Sequence, residues 1–513
     1  MSTARSQRRL SKSRLIDYRQ CAKRLWLQVH RPDLRTEDPN ARMRMDIGNE
    51  VGELARKLHD PTGEGILFDA QRDGYDAVFE ASRAAVSLRR PLFEAGFSVG
   101  SLFAFVDLLL PASGADRDSG WTLIEVKSAA SVKPYHLDDL AVQVHILDEA
   151  GVALDGAAIA CIDSSWTYPG GGHYAGLLRQ HNRLEEARSR SSEVRRWTDG
   201  AQSTIQERNE PDIATGDHCA SPFPCPFFDH CSAQSGPRPV IAAPVEWLPR
   251  VQTKALKARL ADPAIVSMEH VADNLLSDLQ RRVKAATLSG QPYTDPVVAA
   301  KAVEQVQWPL FFLDFEAVNL AIPRWAGTRP FEQVPFQYSL HILHQNSTLE
   351  HREFIDLSGN DPRRPLAERL IADIPNAEGG TVFAYNSSFE TRVLNHLADT
   401  LGDLELPLND IIRRIKDLLP IARDAWYHPD QQGSWSIKRV LPTLGERSAS
   451  YADLDGVSDG QQAILAYSRA TSAGVDETER ESIRRALIRY CAQDTEAMVI
   501  LWRHLGRIAD TGE

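Results

Sequence analysis

The sequence predicts a two-domain α/β protein, and three observations carry that expectation. Short apolar runs with strand-like composition alternate with segments in which apolar residues recur every three or four positions, the mark of amphipathic helices. The 513 residues exceed what a single hydrophobic core usually organises. A stretch rich in Pro and Gly, GPRPVIAAPVEWLP, interrupts the pattern near the middle of the chain.

The elements follow in order. MSTARSQRRLSKSRL is a basic tail with no apolar segment after it, so a secretory signal is not expected. LSKSRLIDYRQCAKRLWLQ carries a Ser cap and helical apolar spacing, SLFAFVDLLL and WTLIEVKSA read as strands, and YHLDDLAVQVHILDEAG returns to helix. These define a first α/β domain over residues 10–235. A helical connector is expected over 240–300, where KALKARLADPAIVSMEHVADNLLSDLQRRVKAA keeps helical spacing. A second α/β domain spans 305–505, with strands WPLFFLDFEAV, FQYSLHILHQ and GTVFAYN, helix SSFETRVLNHLADTL, helical segments after Pro407, and a closing helix ESIRRALIRYCAQDTEAMVILWRHL.

Apolar residues make up 42% and charged residues 25%, as in soluble globular proteins, and no apolar run approaches the roughly 18–20 residues that cross a bilayer. A membrane partner is therefore not expected. The net charge of −12 excludes a general polycation, so any nucleic acid must be held by local grooves and bound metal ions. Six cysteines are too few for a disulfide scaffold in a chain of this length. Cys219, Cys225 and Cys231 cluster, which reads as metal ligation in a reducing cytoplasm.

Asp314 and Glu316 lie two apart on an apolar strand, so their carboxylates leave the same face. Such a pair repels itself unless a cation binds between the two, although it is also a common solvated strand end. Glu390 falls in the first turn of a helix, where the dipole favours a carboxylate and where simple capping is the plainer reading. Tyr490 and Asp494, four apart on the closing helix, share a face. The ordered set, D-x-E at Asp314 and Glu316, N-x-x-F-E from Asn386 to Glu390 and Y-x-x-x-D at Tyr490 and Asp494, resembles the DEDD exonuclease superfamily with its ribonuclease H-like fold. That resemblance implies that Asp314, Glu316, Glu390 and Asp494 hold Mg²⁺ or Mn²⁺ and that Tyr490 orients the attacking water, as in the DEDDy subtype. The second motif of that family ordinarily ends in Asp, where this chain has Glu390. Asp417, Lys438 and Arg439 are candidates for supporting and phosphate contacts, against ordinary surface charge. Tyr385, Trp426, Tyr427 and Trp435 are candidates for base stacking, against a place in the core.

In the first domain Asp107 lies on one strand, with Glu125 and Lys127 two apart on the next. Two carboxylates with an ammonium suit a divalent metal and a charged transition state, and the plainer reading is a strand with a surface ion pair. D followed by E-x-K resembles the PD-(D/E)xK nuclease superfamily of restriction-endonuclease-like fold. Cys21 ahead of that core with Cys219, Cys225 and Cys231 behind it resembles its RecB-like members. The resemblance implies a [4Fe-4S] cluster on these four thiolates, with tetrahedral Zn²⁺ as the alternative. It also suggests Glu94 as a further carboxylate and Gln143 as a helix-borne partner. Cys161 and Cys491 are expected to be buried small hydrophobes.

The expected function is a metal-dependent nuclease, exonucleolytic in its second domain, acting on DNA rather than RNA by the RecB-like resemblance. The rival expectations are a non-catalytic nucleic-acid-binding or redox-sensing iron-sulphur protein, and an RNA-trimming exonuclease with structural zinc.

Overall fold

The computed structural model describes residues 9–38, 41–112, 120–234, 241–376, 379–445, 456–472 and 474–510. Most of the basic tail and residues 235–240 at the expected boundary lie outside the described residues. The chain is mixed α/β and divides into two compact units, Met1–Arg238 with Leu320–Phe331, and Pro239–Asn319 with Glu332–Glu513. Among the described residues, no helix is long and apolar enough to cross a membrane.

The first unit opens on β1 (Leu10–Ser11), α1 (Lys12–Gln20) and α2 (Ala22–His30). Ser11 caps α1 by accepting from the Arg14 amide, but the single helix expected here is two. Cys21 breaks it with extended backbone, φ −163° and ψ 125°, and no Gly or Pro announces the break. Strands β2 (Ile66–Leu67), β3 (Leu92–Val99), β4 (Leu102–Pro111), β5 (Trp121–Lys127), β6 (Leu154–Ile162) and β7 (Leu178–Asn182) lie side by side in chain order, and β1 pairs with β4. β3, β4 and β5 are antiparallel neighbours. β6 runs parallel to β5 and therefore needs a crossover, which α3 (Pro134–Glu149) supplies. Leu123, Leu140, Leu147 and Ile159 form the core between sheet and helix. The sequence reading missed β6 because LDGAAIACI is buried at all but one position, so no polar alternation marks it. A short helix, α4 (Phe228–Gln234), carries Cys231.

Residues 320–331 pack with this first unit although they follow the strand bearing Asp314. Ala321 and Ile322 are buried among Val51, Ile162 and Leu177, and Tyr174 donates its hydroxyl to the Pro323 carbonyl at 3.0 Å.

The second unit begins within the expected connector. Its helices α5 (Lys254–Leu260), α6 (Asp278–Ser289) and α7 (Pro296–Glu304) are separated by turns, so the segment is less helical than its periodicity predicts. It is also more than a connector, because Met268, Val283 and Ala299 share a core with Leu310, Phe312 and Leu501. Strands β8 (Tyr293–Thr294), β9 (Leu310–Val318), β10 (Val334–Leu343), β11 (Leu349–Ile355), β12 (Thr381–Ala384), β13 (Ile415–Asp417) and β14 (Trp426–Tyr427) follow. The main sheet has the order β11-β10-β9-β12-β13, and β8 pairs with β14 apart from it. β9, β10 and β11 are antiparallel neighbours, while β12 and β13 run parallel to β9. Thus β9 is central, and its alternate residues Phe311, Leu313 and Phe315 enter one core while Leu310 and Phe312 enter another. Helices α8 (Ser388–Thr400), α9 (Leu418–Ala425) and α10 (Glu477–Asp510) complete the frame used below.

Candidate functional site

The second unit gathers its acidic residues from three elements. Asp314 and Glu316 stand on β9 opposite Ser339 and Gln337 of β10. Gln337 donates through Nε2 to the Leu487 carbonyl of α10 at 2.9 Å, and Thr495 Oγ1 lies 2.8 Å from both Ser339 Oγ and His341 Nδ1. These bonds hold α10 along the sheet, with Tyr490 buried and Asp494 on the same face. Glu390 arrives by another route. After β12 the chain turns at Asn386, whose φ of +62° is left-handed, and α8 starts with Glu390 in its first turn. Asp417 accepts from the Asn386 amide at 2.9 Å and the Leu419 amide at 3.0 Å, tying this turn to the start of α9.

The electrostatics show how crowded these carboxylates are. Burial, followed by the charge of Asp494, raises Asp314 well above the ordinary carboxylate range and raises Glu316 to about 8. Glu390 also acts on both. Glu390 itself is raised to about 7, chiefly by burial, with a further push from Asp417. Its Oε2 is buried without a hydrogen-bond partner. Burial and the neighbouring charges of Glu316, Asp494 and Asp314 raise the Tyr490 phenol, so it stays protonated. Lys438 partly offsets the negative charge at Glu316, and its Nζ lies 5.0 Å from the centre of the Tyr490 ring.

Several lesser expectations change. Trp426, Tyr427 and Trp435 are buried in the core and Tyr385 donates its hydroxyl to the Trp435 carbonyl, so none is placed to stack on a base. Arg439 is exposed. Cys491 is buried as expected but is no inert filler: its Sγ lies 3.4 Å from Asp314 Oδ2. A shallow cleft lined by Phe315, Glu316, Asn319, Gln333, Phe389 and Asp459 opens beside the acidic group.

In the first unit, β4 brings Asp107 beside Glu125 and Lys127 of β5. Asp107 Oδ2 accepts from the Val126 amide at 2.7 Å, and Lys127 donates to Glu125 Oε1 at 2.8 Å and to Asp139 Oδ2 at 2.5 Å. Gln143 donates to Glu125 Oε2 at 2.5 Å, as its position on α3 suggested. Glu94 stands half-exposed, 3.5 Å from Arg56. Lys12 was not anticipated: it donates to the same Glu125 Oε1 at 2.8 Å. No local signal could have found it, because the pair is separated by 113 residues. Burial raises Asp107 to about 7, with a further push from Glu125. Glu125 is held well below the usual range: burial alone would raise it, but Lys12 and Lys127 outweigh that effect.

Cys21, Cys219, Cys225 and Cys231 line one pocket with Lys23 and Arg24. Gln20 fixes the loop that bears the later cysteines by donating to the carbonyls of His218 and Phe223 at 2.8 and 2.7 Å. Burial raises the Cys231 thiol to about 11, with Lys23 opposing. Tetrahedral zinc places its thiolates about 3.8 Å apart, from Zn–S bonds of about 2.3 Å. Among the described residues, the group offering three ligand atoms within 4.8 Å of one another is Asp314, Glu316 and Cys491, not a trio from this pocket. The four thiols share a pocket, as the two expected ligand sets, an iron-sulphur cluster and a zinc ion, both require.

A family model described as a domain of unknown function (DUF2779) matches residues 311–436, which include Asp314, Glu316 and Glu390 but not Tyr490 or Asp494. No curated protein matches the chain.

Proposed function

We propose that the protein is a metal-dependent nuclease whose second unit removes nucleotides from a DNA end. The observation that carries this reading is the crowded group of Asp314, Glu316, Glu390 and Asp494, with both glutamates buried and both aspartates half-buried, whose mutual repulsion is relieved by cations. The donor set is all oxygen apart from Cys491, and the orphaned Glu390 Oε2 is a ready acceptor, so the residues fit Mg²⁺ or Mn²⁺. Such ions supply an activated water and stabilise the leaving oxygen of a phosphodiester.

The remaining roles belong to the chain. Tyr490, kept neutral, is a hydrogen-bond donor for the attacking water or a phosphate oxygen and cannot serve as a base. Lys438 offsets the charge of an incoming phosphate. The cleft beside Glu316, with Phe315 and Phe389 in its wall, is where a terminal nucleotide would lie. The sheet, three antiparallel strands followed by two parallel to β9, agrees with the ribonuclease H-like expectation.

In the first unit, Asp107, Glu125 and Lys127 form the PD-(D/E)xK-type site of a second nuclease or DNA-binding module. Two ammonium groups already neutralise Glu125, so a divalent ion there competes with Lys12. Cys21, Cys219, Cys225 and Cys231, four thiols lining one pocket, are the ligands of a [4Fe-4S] cluster by the RecB-like resemblance, with tetrahedral zinc as the alternative that metal analysis separates.

The test is digestion of labelled DNA and RNA in Mg²⁺ or Mn²⁺ after anaerobic purification and metal analysis. Asp314→Ala is expected to abolish exonucleolytic release, and Lys127→Ala separates the contribution of the first unit. Full activity in Asp314→Ala would remove the assignment.

A further inference from the structure

The geometry points to a mixed carboxylate and thiolate site at Asp314, Glu316 and Cys491 that captures a thiophilic divalent ion, zinc or cadmium. One ligand atom from each residue lies within 4.8 Å of the other two, so a small side-chain adjustment brings all three to the roughly 3.5–3.8 Å separation of ligands around one tetrahedral ion. Cys491 is fully buried on α10, one residue after Tyr490, and its Sγ is 3.8 Å from the Asp314 carbonyl oxygen and 3.4 Å from Asp314 Oδ2. The thiol thus stands over the strand that carries both carboxylates.

A second observation also calls for a cation. Glu390 is 3% exposed, its Oε2 has no hydrogen-bond partner, and its charge acts on both Asp314 and Glu316. A buried carboxylate oxygen without a partner is costly, and a bound cation satisfies it.

The sulfur decides the class of ion. Carboxylate oxygens alone suit Mg²⁺ and Mn²⁺, whereas a thiolate adds selectivity for Zn²⁺ and its soft analogue Cd²⁺. When such an ion binds, the Cys491 S–H bond breaks, the proton leaves to solvent, and the sulfur lone pair forms the metal–sulfur bond. No oxidation is involved. The captured ion occupies oxygens that the hard ion would use, so zinc opposes magnesium at this site. Only that competitive consequence rests on the nuclease reading; the capture itself rests on the donor set.

The experiment is a Cd²⁺ titration of the full-length protein, wild type against Cys491→Ala and Cys491→Ser, monitored by the ultraviolet cadmium–thiolate charge-transfer band and by bound-metal analysis. The other cysteines are common to all three, so the difference spectrum isolates Cys491. Wild type is expected to bind one more cadmium ion than either variant, tightly enough that excess Mg²⁺ does not remove it. Loss of the thiolate weakens cadmium about tenfold or more. Equal stoichiometry and a flat difference spectrum overturn the site. Should either variant not fold, Cys491→Val, which fills the same buried space without a thiolate, takes its place under the same criteria: one cadmium ion fewer than wild type supports the site, and equal stoichiometry overturns it. A cadmium band with no DNA hydrolysis retains this site and removes the nuclease reading, and the opposite result does the reverse.

Discussion

Glu390 shows what the acidic group costs the metal-free protein. Its folded pKa is raised to about 7 and that of Glu316 to about 8, against ordinary values near 4.5. Both are raised, so their share of stability is fully present below the unfolded values and is lost as pH rises through the folded ones. In EDTA the melting temperature is therefore expected to fall between about pH 5 and pH 8.5, and Mn²⁺ should flatten that slope because it favours the ionised forms. Each pKa unit corresponds to about 1.4 kcal/mol, which puts the Glu390 contribution on the order of 3 kcal/mol. Glu390→Gln should stand above wild type at pH 8 in EDTA and should lose the Mn²⁺-induced rise. Thermal melts across pH with both proteins decide this, and an unchanged slope in the variant would falsify the placement of Glu390. At this scale much of the site was legible: D-x-E on a strand and Y-x-x-x-D on a helix fix shared faces by periodicity alone. Lys12 and Asp139 were not legible, because their partners are distant in sequence and are brought close by the fold. Cys491 is buried as expected, and its contact with Asp314 carries no local signal because the two are 177 residues apart.

The centres of elements are more legible in the sequence than the breaks between them. The sequence reading placed β9, β12, α8 and α10 from apolar runs and helical spacing, but it extended one helix through Cys21 and missed β3, β6 and β7. Strands buried on both faces, as β6 largely is, lose their alternation; β7, the polar edge strand LRQHN, has too few apolar residues to show one; and a helix break made by extended backbone at an ordinary residue leaves no compositional trace. The turn from β12 into α8 offers a test at this scale. Asp417 accepts from the Asn386 and Leu419 amides, so Asp417→Ala leaves two donors without their acceptor and should cost about 1–2 kcal/mol. The same change loosens the turn that positions Glu390, and Mn²⁺ affinity should fall with stability. Asp417→Asn keeps an acceptor oxygen and should restore most of the stability. Denaturant melts and manganese titrations of the two variants distinguish this tether from an ordinary exposed acid, for which both variants would match wild type.

On the scale of the whole chain, domain boundaries read from composition were incomplete. The Pro- and Gly-rich break marks where the first unit's continuous segment ends, but residues 320–331 return to that unit from within the second. Nothing local in LAIPRWAGTRPF distinguishes an excursion from an ordinary loop. Removing it leaves Val51, Ile162 and Leu177 without Ala321 and Ile322. Each buried aliphatic side chain such as Ile322 is worth about 1.5–3 kcal/mol. A fragment ending at Arg238 should therefore melt earlier and bind more of a hydrophobic dye than the same fragment followed by a flexible linker and residues 320–331. Identical melts would show that the excursion contributes nothing to that core.

The excursion also bears on how such a protein can be inherited. A recombination event that exchanged everything after residue 238 for an unrelated sequence would take part of the first unit's core with it. An exchange at that seam would therefore cost the first unit part of its stability unless residues 320–331 travelled with it.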